Sequence, residues 1–217
     1  MELWTTFLDL LQSLLFATTQ LWGGSVGFGI ITLSLVFRLL LLPLTYAIAR
    51  DGYQRALGMR RLQPHLRRLQ ERYGEDPARL AQEQLKLYRH YGVKLIEPRS
   101  LLGGLLQLPL FAGMYTAIRR VLASGLGGRW LWVPDVARPD AWLALLVAGL
   151  VGATVMLAPQ ASPQFSRWLL VLPAAVVTGV MLLKLSAGMG LYWGASSVVG
   201  IVQAVLVRRG VSGRAAV

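Results

Sequence analysis

VGFGIITLSLVFRLLLLPLTYAIA, residues 26–49, is an apolar stretch that carries a single charge, Arg38. Its length fits a helix that crosses a bilayer, for which about 20 apolar residues are needed. An arginine at the centre of such a helix costs about 2.5–3.5 kcal/mol, so it normally faces a partner or a water-filled cavity. All ten acidic residues of the chain lie outside the apolar stretches. We therefore expect Arg38 to face water or a carboxylate that another molecule brings.

The composition of the whole chain is typical of a membrane protein that crosses the bilayer several times. Of 217 residues, 55% are hydrophobic and only 15% are charged, and a chain of this length is expected to form one domain. The net charge of +12 comes from basic residues that cluster between apolar stretches, so specific nucleic-acid binding is not expected. The chain has no cysteine, which excludes disulfides and cysteine-bound metals.

The apolar stretches predict an all-α membrane protein with five transmembrane helices. An odd number of spans puts the two termini on opposite sides of the membrane. Sixteen basic residues fall on one side, twelve of them between residues 50 and 99, and five fall on the other. This bias places the N-terminus outside and the C-terminus in the cytoplasm. The predicted segments are the spans 25–49, 100–122, 141–159, 165–183 and 188–207, the external segments 123–140 and 184–187, and the cytoplasmic segments 50–99, 160–164 and 208–217.

Residues 1–24 are predicted to form an amphipathic helix that lies in the external membrane interface. Leucine and aromatic residues recur there at helical spacing, and Thr5, Asp9, Gln12 and Ser13 lie between them. A sixth span is the alternative, since only Asp9 and a few other polar residues interrupt the apolar sequence. That alternative would reverse the side on which the N-terminus lies.

The basic segment 50–99 is predicted to form a hairpin of two helices. Tyr73 and the glycine after it end the first helix, in which Pro64 marks a restart or a kink, while Asp76 and Pro77 provide the start of the second. The second helix runs to about Tyr91. The basic face is either a solvated loop or a platform for anionic lipid headgroups, ribosomal RNA or a translocation partner. The candidate recruitment residues are Arg60, Arg61, Arg67, Arg68 and Arg72.

The sequence predicts neither an enzyme nor a metal or cofactor site. It has no nucleotide-binding or hydrolase motif, no carboxylate inside a span, and two histidines, His65 and His90, whose spacing does not suit a shared metal. What remains is a sparse set of polar residues inside the spans. Each of them either lines a hydrophilic groove or joins two helices by a hydrogen bond. The candidate groove residues are Arg38, Ser34, Gln107, Trp193, Gln203, Tyr192 and Thr178.

Several motifs resemble, in order and spacing, the YidC/Oxa/Alb family of membrane protein insertases. They are GFGIITLSLVFRLLLLPLT (27–45), QPHLRRLQERYG (63–74), DPARLAQEQLKLYRHYGV (76–93), LLQLPLFAGMY (105–115), WLWVPDVARPD (130–140) and LSAGMGLYWGASSVVGIVQ (185–203). The resemblance runs from about Trp22 to Val207. It implies a short bacterial member, without the large periplasmic domain, that crosses the plasma (inner) membrane several times. Arg38 corresponds to the basic residue of the family's groove.

Two departures from the family pattern lie at chain reversals. After the hairpin the family commonly has Asn-Pro, whereas this chain has Lys94, Leu95 and Ile96. Before the last Ala-Gly the family commonly has Pro, whereas this chain has Ser186. We expect the exit of the hairpin and the last turn to be shaped differently here.

The resemblance implies an insertase and chaperone that needs no cofactor. Such a protein moves short polar tails of nascent membrane proteins across the bilayer through a hydrophilic groove containing an essential arginine, and releases their apolar helices into lipid. The implied partners are nascent membrane proteins and membrane lipids, with the ribosome and a Sec-type translocon as further candidates. Two alternatives stay open, a small-solute or anion channel or transporter and an assembly chaperone that translocates nothing.

Overall fold

The structure, a computed structural model, describes residues 2–92, 98–158 and 166–214. Over these ranges the chain forms eight helices, so the predicted all-α fold is confirmed. The helices are α1 (Glu2–Leu21), α2 (Val26–Leu40), α3 (Leu42–Tyr73), α4 (Pro77–His90), α5 (Pro98–Ala123), α6 (Ala141–Leu157), α7 (Trp168–Leu182) and α8 (Ala187–Arg214).

By length and composition, few of the described helices qualify as membrane spans. Ala187–Val211 of α8 is long and apolar enough to cross a membrane alone. Helices α2 and α3 meet the same condition only together, and they are bent by 62°. Helices α6 and α7 are apolar but have 17 and 15 residues. One or two spans are therefore clear in this part of the chain, and the five predicted spans stay a prediction.

The predicted span 25–49 is two helices rather than one. Helix α2 ends at Leu40, and Leu42 starts α3 after a bend. Pro43 explains the break, because proline lacks the N–H of a helical hydrogen bond and its ring clashes with the carbonyl four residues earlier. Proline is tolerated in the first turn of a helix, which is its place in α3. Arg38 therefore lies in the last turn of α2, directly before the bend.

The hairpin forms as its local sequence predicts. Helix α3 ends at Tyr73, and the Asp76 side chain caps α4 by accepting a hydrogen bond from the backbone N–H of Arg79 at 3.0 Å. Helix α4 ends at His90. Helix α3 continues through Pro64 instead of restarting there. The predicted change of shape at Lys94–Ile96 lies outside the described residues.

The loop between α5 and α6 covers one end of the helices. Trp130 and Val133 pair through two backbone hydrogen bonds of 2.9 and 2.8 Å, and both side chains are buried in the core. Trp130 packs against Gly27 so closely that no side chain fits there. The loop also accepts hydrogen bonds from the first N–H groups of α8, from Ala187 to the carbonyl of Arg138 at 2.8 Å and from Gly188 to that of Val136 at 3.0 Å.

The last turn starts α8 without the proline that the family commonly has there. The carbonyl of Ser186 accepts the N–H of Met189 at 3.0 Å. The serine therefore begins the helical hydrogen-bonding pattern directly, and the loop supplies the acceptors for the next two N–H groups.

Candidate functional site around Arg38

Arg38 lines a small cavity where α2, α3, α5 and α8 meet, and most of the lining surface is apolar. Its side chain is half-buried, and the cavity has room for about one water molecule, with a volume of about 20 Å³. Three of the seven candidate groove residues meet here, namely Arg38, Gln107 and Tyr192. We call this the Arg38 cavity, and the remaining residues around it are Leu41, Leu44, Thr45, Ile48 and Leu110.

The guanidinium of Arg38 has no ion-pair or hydrogen-bond partner among the described residues. In the part of the chain that the structure describes, it forms neither an ion pair nor a hydrogen bond, and no acidic residue lines the cavity. A half-buried charge without a partner is costly, so water or an incoming anion must solvate it. The C-terminal end of α2 provides some stabilisation, because the carbonyl groups in the last turn of a helix carry partial negative charge.

Helix α8 places Tyr192 at the cavity from the side of the core. Tyr192 is buried, and its ring packs against Phe111 of α5 with 6.0 Å between the ring centroids. Phe111 also makes an edge contact with Trp193, at 5.8 Å. Trp193 thus supports the wall behind the cavity without lining it.

Gln203 acts on the cavity through Thr45. Its Nε2 donates to the backbone carbonyl of Thr45 at 2.9 Å, and the Thr45 hydroxyl lies 3.0 Å from the Gln203 Oε1. That hydroxyl is equally close to the carbonyl of Leu41, and it has one proton to donate to either acceptor. Because Thr45 lines the cavity, Gln203 fixes one wall without touching the enclosed space.

The remaining two candidate groove residues, Ser34 and Thr178, do not line the Arg38 cavity either. Ser34 is buried, and its hydroxyl donates to the carbonyl of Ile30 in its own helix at 2.6 Å. Thr178 is buried in α7, which packs mainly against α6. Both residues are buried polar side chains within the helix packing, and neither lines this cavity.

An apolar cleft of about 620 Å³ adjoins the Arg38 cavity. The two spaces share Leu41 and Leu110 as a common wall. Sequence analysis did not identify the cleft, because its apolar lining residues come from three helices and no local sequence pattern shows that they meet in the folded chain. The side chains that line the rest of the cleft are Leu3, Trp4, Phe7, Phe37, Leu40 and Pro109.

The candidate recruitment residues are all exposed on α3. Arg60 and its neighbour Arg61 lie on the middle turns, and Arg67, Arg68 and Arg72 lie nearer the end. The Arg72 guanidinium lies over the ring of Tyr73, 5.6 Å from its centroid. This face of α3 is therefore positively charged and exposed. Both a solvated loop and a platform for lipid headgroups, RNA or a partner require that. Within the described ranges, no group of three or more acidic or histidine residues could hold a metal ion.

Together these features define an all-helical protein in which a half-buried arginine, with no ion pair or hydrogen bond among the described residues, lies beside an apolar cleft. The family model described as "60Kd inner membrane protein" matches residues 17–214. The chain therefore belongs to the YidC/Oxa/Alb family of inner membrane proteins, which are membrane protein insertases and not enzymes.

Individual relatives agree with this assignment. The membrane protein insertase YidC of Histophilus somni (strain 129Pt) is 34% identical over 213 residues, which cover 94% of this chain and 35% of the relative. The insertase YidC of Thiobacillus denitrificans is 31% identical over 88% of this chain and 34% of its own length. The chain thus spans about a third of the length of these relatives. The insertase YidC of Clostridium tetani is 29% identical over 85% of this chain and 82% of its own length.

The fold is also similar to a solved insertase. A crystal structure of an active YidC insertase, with its first transmembrane domain resolved, superposes with a TM-score of 0.67 at 25% identity. The match covers 93% of this chain and 45% of that chain. The resemblance found in the sequence motifs is confirmed.

Proposed function

We propose that this protein inserts nascent membrane proteins by moving their short polar tails across the bilayer and releasing their apolar helices into lipid. One observation carries the proposal. The guanidinium of Arg38 has no ion-pair or hydrogen-bond partner among the described residues, and it lies beside a large apolar cleft across the wall formed by Leu41 and Leu110. The polar tail of a substrate needs a charged environment, the helix attached to it needs an apolar one, and the two must lie side by side.

Estimated transfer and pairing energies support these separate roles for Arg38 and the apolar cleft. Carrying an aspartate past the centre of a bilayer costs about 2.5–3.5 kcal/mol. A guanidinium and a carboxylate about 4 Å apart attract each other by about 4 kcal/mol at an effective dielectric constant near 20. Arg38 would therefore offset much of the cost. Arginine suits this task because it keeps its charge when it is partly desolvated. The apolar helix would then enter lipid without a nucleotide, driven by hydrophobic transfer.

A carboxylate-bearing side chain needs more room than the Arg38 cavity offers in this structure. Since the enclosed volume of about 20 Å³ holds about one water, tail entry requires an opening. Leu41 and Leu110 separate the cavity from the apolar cleft, so their movement would join the two spaces. Ser34, Trp193, Gln203 and Thr178 take part in this proposal as packing positions around the groove.

The charge distribution supports a particular membrane arrangement. We propose five spans, with the N-terminus outside, the C-terminus in the cytoplasm and α1 in the external interface. The hairpin of α3 and α4 then lies in the cytoplasm, where its exposed arginines would meet lipid headgroups, a ribosome or a Sec-type translocon. Its substrates would be nascent proteins of the bacterial plasma membrane.

Reconstitution of the purified protein alone tests the proposal. A single-span substrate with a tail of two aspartates is added to liposomes, and protection of the tail from protease is measured. We expect protection with the wild type, about a tenfold loss with Arg38→Ala, as removal of a charged partner implies, and partial activity with Arg38→Lys. A tail with two asparagines should depend less on Arg38.

Other outcomes would favour the alternatives. Full protection of the acidic tail by Arg38→Ala would remove the electrostatic mechanism. Solute flux through the wild-type protein would favour a channel. Crosslinking to the substrate helix without any protection of the tail would favour an assembly chaperone.

A further inference from the structure

A second cationic cavity, of about 500 Å³, lies at the end of α5 away from the hairpin. Arg119 of α5 and Lys184 of the turn between α7 and α8 both line it, together with Tyr115 and Ser186. Leu122 and Leu185 add apolar walls. We call this space the outer cavity. It is large enough for a short peptide segment, whereas a single ion would fill only a small part of it.

The two cations of the outer cavity differ from their neighbours because they lack acidic partners. Arg120 pairs with Asp9 at 3.4 Å, and Arg138 pairs with Asp135 at 3.4 Å. By contrast, neither Arg119 nor Lys184 forms an ion pair anywhere in the described ranges, although both side chains are exposed.

Tyr115 holds the guanidinium of Arg119 at the cavity. The guanidinium carbon lies 5.5 Å from the centre of the Tyr115 ring, and Nη1 donates to the phenolic oxygen at 3.3 Å. A cation that stacks on an aromatic ring loses side-chain freedom before any ligand arrives. It therefore loses less entropy when a carboxylate binds, which favours binding.

A continuous ridge of α5 leads from the Arg38 cavity to the outer cavity. Gln107 lines the first space and Arg119 the second, and Phe111 and Tyr115 lie between them at intervals of four residues. Side chains at this spacing form one ridge on a helix surface. Twelve residues of α-helix cover about 18 Å. The two cationic sites thus lie about 18 Å apart along one helix, with polar and aromatic side chains between them.

We propose that Arg119 and Lys184 form a receiving site for carboxylates of the translocated tail, occupied after the tail has passed Arg38. The proposal rests on the proposed function and adds a second site to it. Water already solvates the carboxylates on the far side, and a pair of cations there would further slow the return of the tail to Arg38. Two cations at the outer end hold the aspartate or glutamate side chains long enough for the apolar helix to enter lipid.

Disulfide crosslinking tests the receiving site, because the chain has no cysteine of its own. Ala123 lines the outer cavity and is exposed, so Ala123→Cys is the probe. The protein is reconstituted in phosphatidylcholine liposomes with a single-span substrate whose tail carries one cysteine beside either two aspartates or two asparagines. An oxidant is added, and the crosslink yield and the protected fraction are both measured.

The expected result is specific to the charge of the tail. The double substitution Arg119→Gln and Lys184→Gln should lower the crosslink yield of the aspartate tail about fivefold, as the loss of two exposed ion pairs implies. Arg120→Gln is the matched control, because Arg120 is the neighbouring exposed arginine and already has a partner in Asp9. It should leave the yield unchanged, and the asparagine tail should give a low yield throughout.

Four results would overturn the proposal. Equal yields from the wild type and the double variant would show that the two cations hold no tail. An equal loss for both tails would mean that they bind lipid headgroups or stabilise the fold. Failure of the wild type to protect either tail would reject the proposed function, and the receiving site with it. Protection that depends on Arg38 but not on Arg119 and Lys184 would reject the receiving site alone.

Discussion

The amide of Gln203 holds α8 against α3 directly beyond the bend that follows Arg38. Two contacts to Thr45, of 2.9 and 3.0 Å, make this the best-defined polar link between the two helices in the described ranges. Gln107 is different, since it lines the cavity from α5 with an exposed side chain. We therefore expect Gln203 to have a structural role and Gln107 to have a role in contacting the substrate.

Alanine substitutions distinguish these two roles. Gln203→Ala should lower the free energy of unfolding by about 1 kcal/mol, a typical value for interhelical hydrogen bonds in membrane proteins. Gln107→Ala should leave it within about 0.5 kcal/mol, because the residue packs little, yet lower the protection of an acidic tail severalfold. Denaturation in detergent and the liposome assay measure the two quantities. Equal destabilisation by both substitutions would contradict the assignment.

Sequence analysis selected polar residues inside the spans as groove candidates but could not tell which of them share a cavity. In the structure Arg38, Gln107 and Tyr192 line one cavity, and their role in a groove stays a prediction. Ser34 and Thr178 look the same in the sequence, since a hydroxyl in an apolar span either faces a cavity or bonds to its own helix. Ser34 bonds to the carbonyl of Ile30. Only the rotation of each helix decides between the two, and the rotation follows from packing against other helices.

At the scale of elements, the bend between α2 and α3 determines what Arg38 can do. A straight helix would continue past Arg38 and use the carbonyl groups of its last turn in hydrogen bonds. Because the chain breaks at Leu41, Arg38 instead lies in the last turn of α2, where the helix end carries partial negative charge. The same break turns Thr45 and Ile48 of α3 toward the cavity.

Pro43→Ala tests the cause of the bend. Alanine restores the N–H and removes the clash, which together cost about 3 kcal/mol in a continuous helix. We expect the two helices to straighten, so that spin labels on cysteines at Phe28 and Gln54 move apart, and the insertion of acidic tails to fall severalfold. Pro64→Ala is the control, since α3 already continues through Pro64. An unchanged label distance in Pro43→Ala would assign the bend to packing instead.

The elements that the sequence predicted well are those with local signals. The cap at Asp76, Pro77 in the first turn of α4 and the glycine after Tyr73 fix the turn of the hairpin, and each signal acts within a few residues. Pro43 was less informative, because a proline in the first turn of a new helix and a proline inside a span look alike. The loop that covers α8 gave no local signal either, since Val136 and Ala187 meet only in the folded chain.

At the scale of the whole molecule, the placement of α1 decides on which side the chain begins. The buried face of α1 carries Leu8, Leu11 and Leu15 and packs on α2 and α5. A polar stripe is exposed on the opposite face. Asp9 in that stripe pairs with Arg120, in the last turn of α5. The residues of the stripe are Glu2, Thr5, Thr6, Asp9, Ser13 and Gln20.

This arrangement favours an interfacial helix over a sixth span. A stripe with a carboxylate at its centre faces water at low cost in an interface, whereas in lipid an aspartate costs about 2.5–3.5 kcal/mol. The ion pair also ties the middle of α1 to the end of α5 that lies away from the basic hairpin. The exposed polar stripe of α1 should then be accessible from outside, while Leu3, Trp4 and Phe7 line the apolar cleft.

Labelling of single cysteines tests this arrangement in intact cells, where the absence of native cysteines keeps the background low. A membrane-impermeant maleimide added outside should modify Glu2→Cys, at an exposed position of α1. It should not modify Ala78→Cys, at an exposed position of α4, until the cells are broken. Protection of Glu2→Cys together with Ala78→Cys would make α1 a sixth span with a cytoplasmic N-terminus. The Asp9–Arg120 pair would then have to lie within the bilayer.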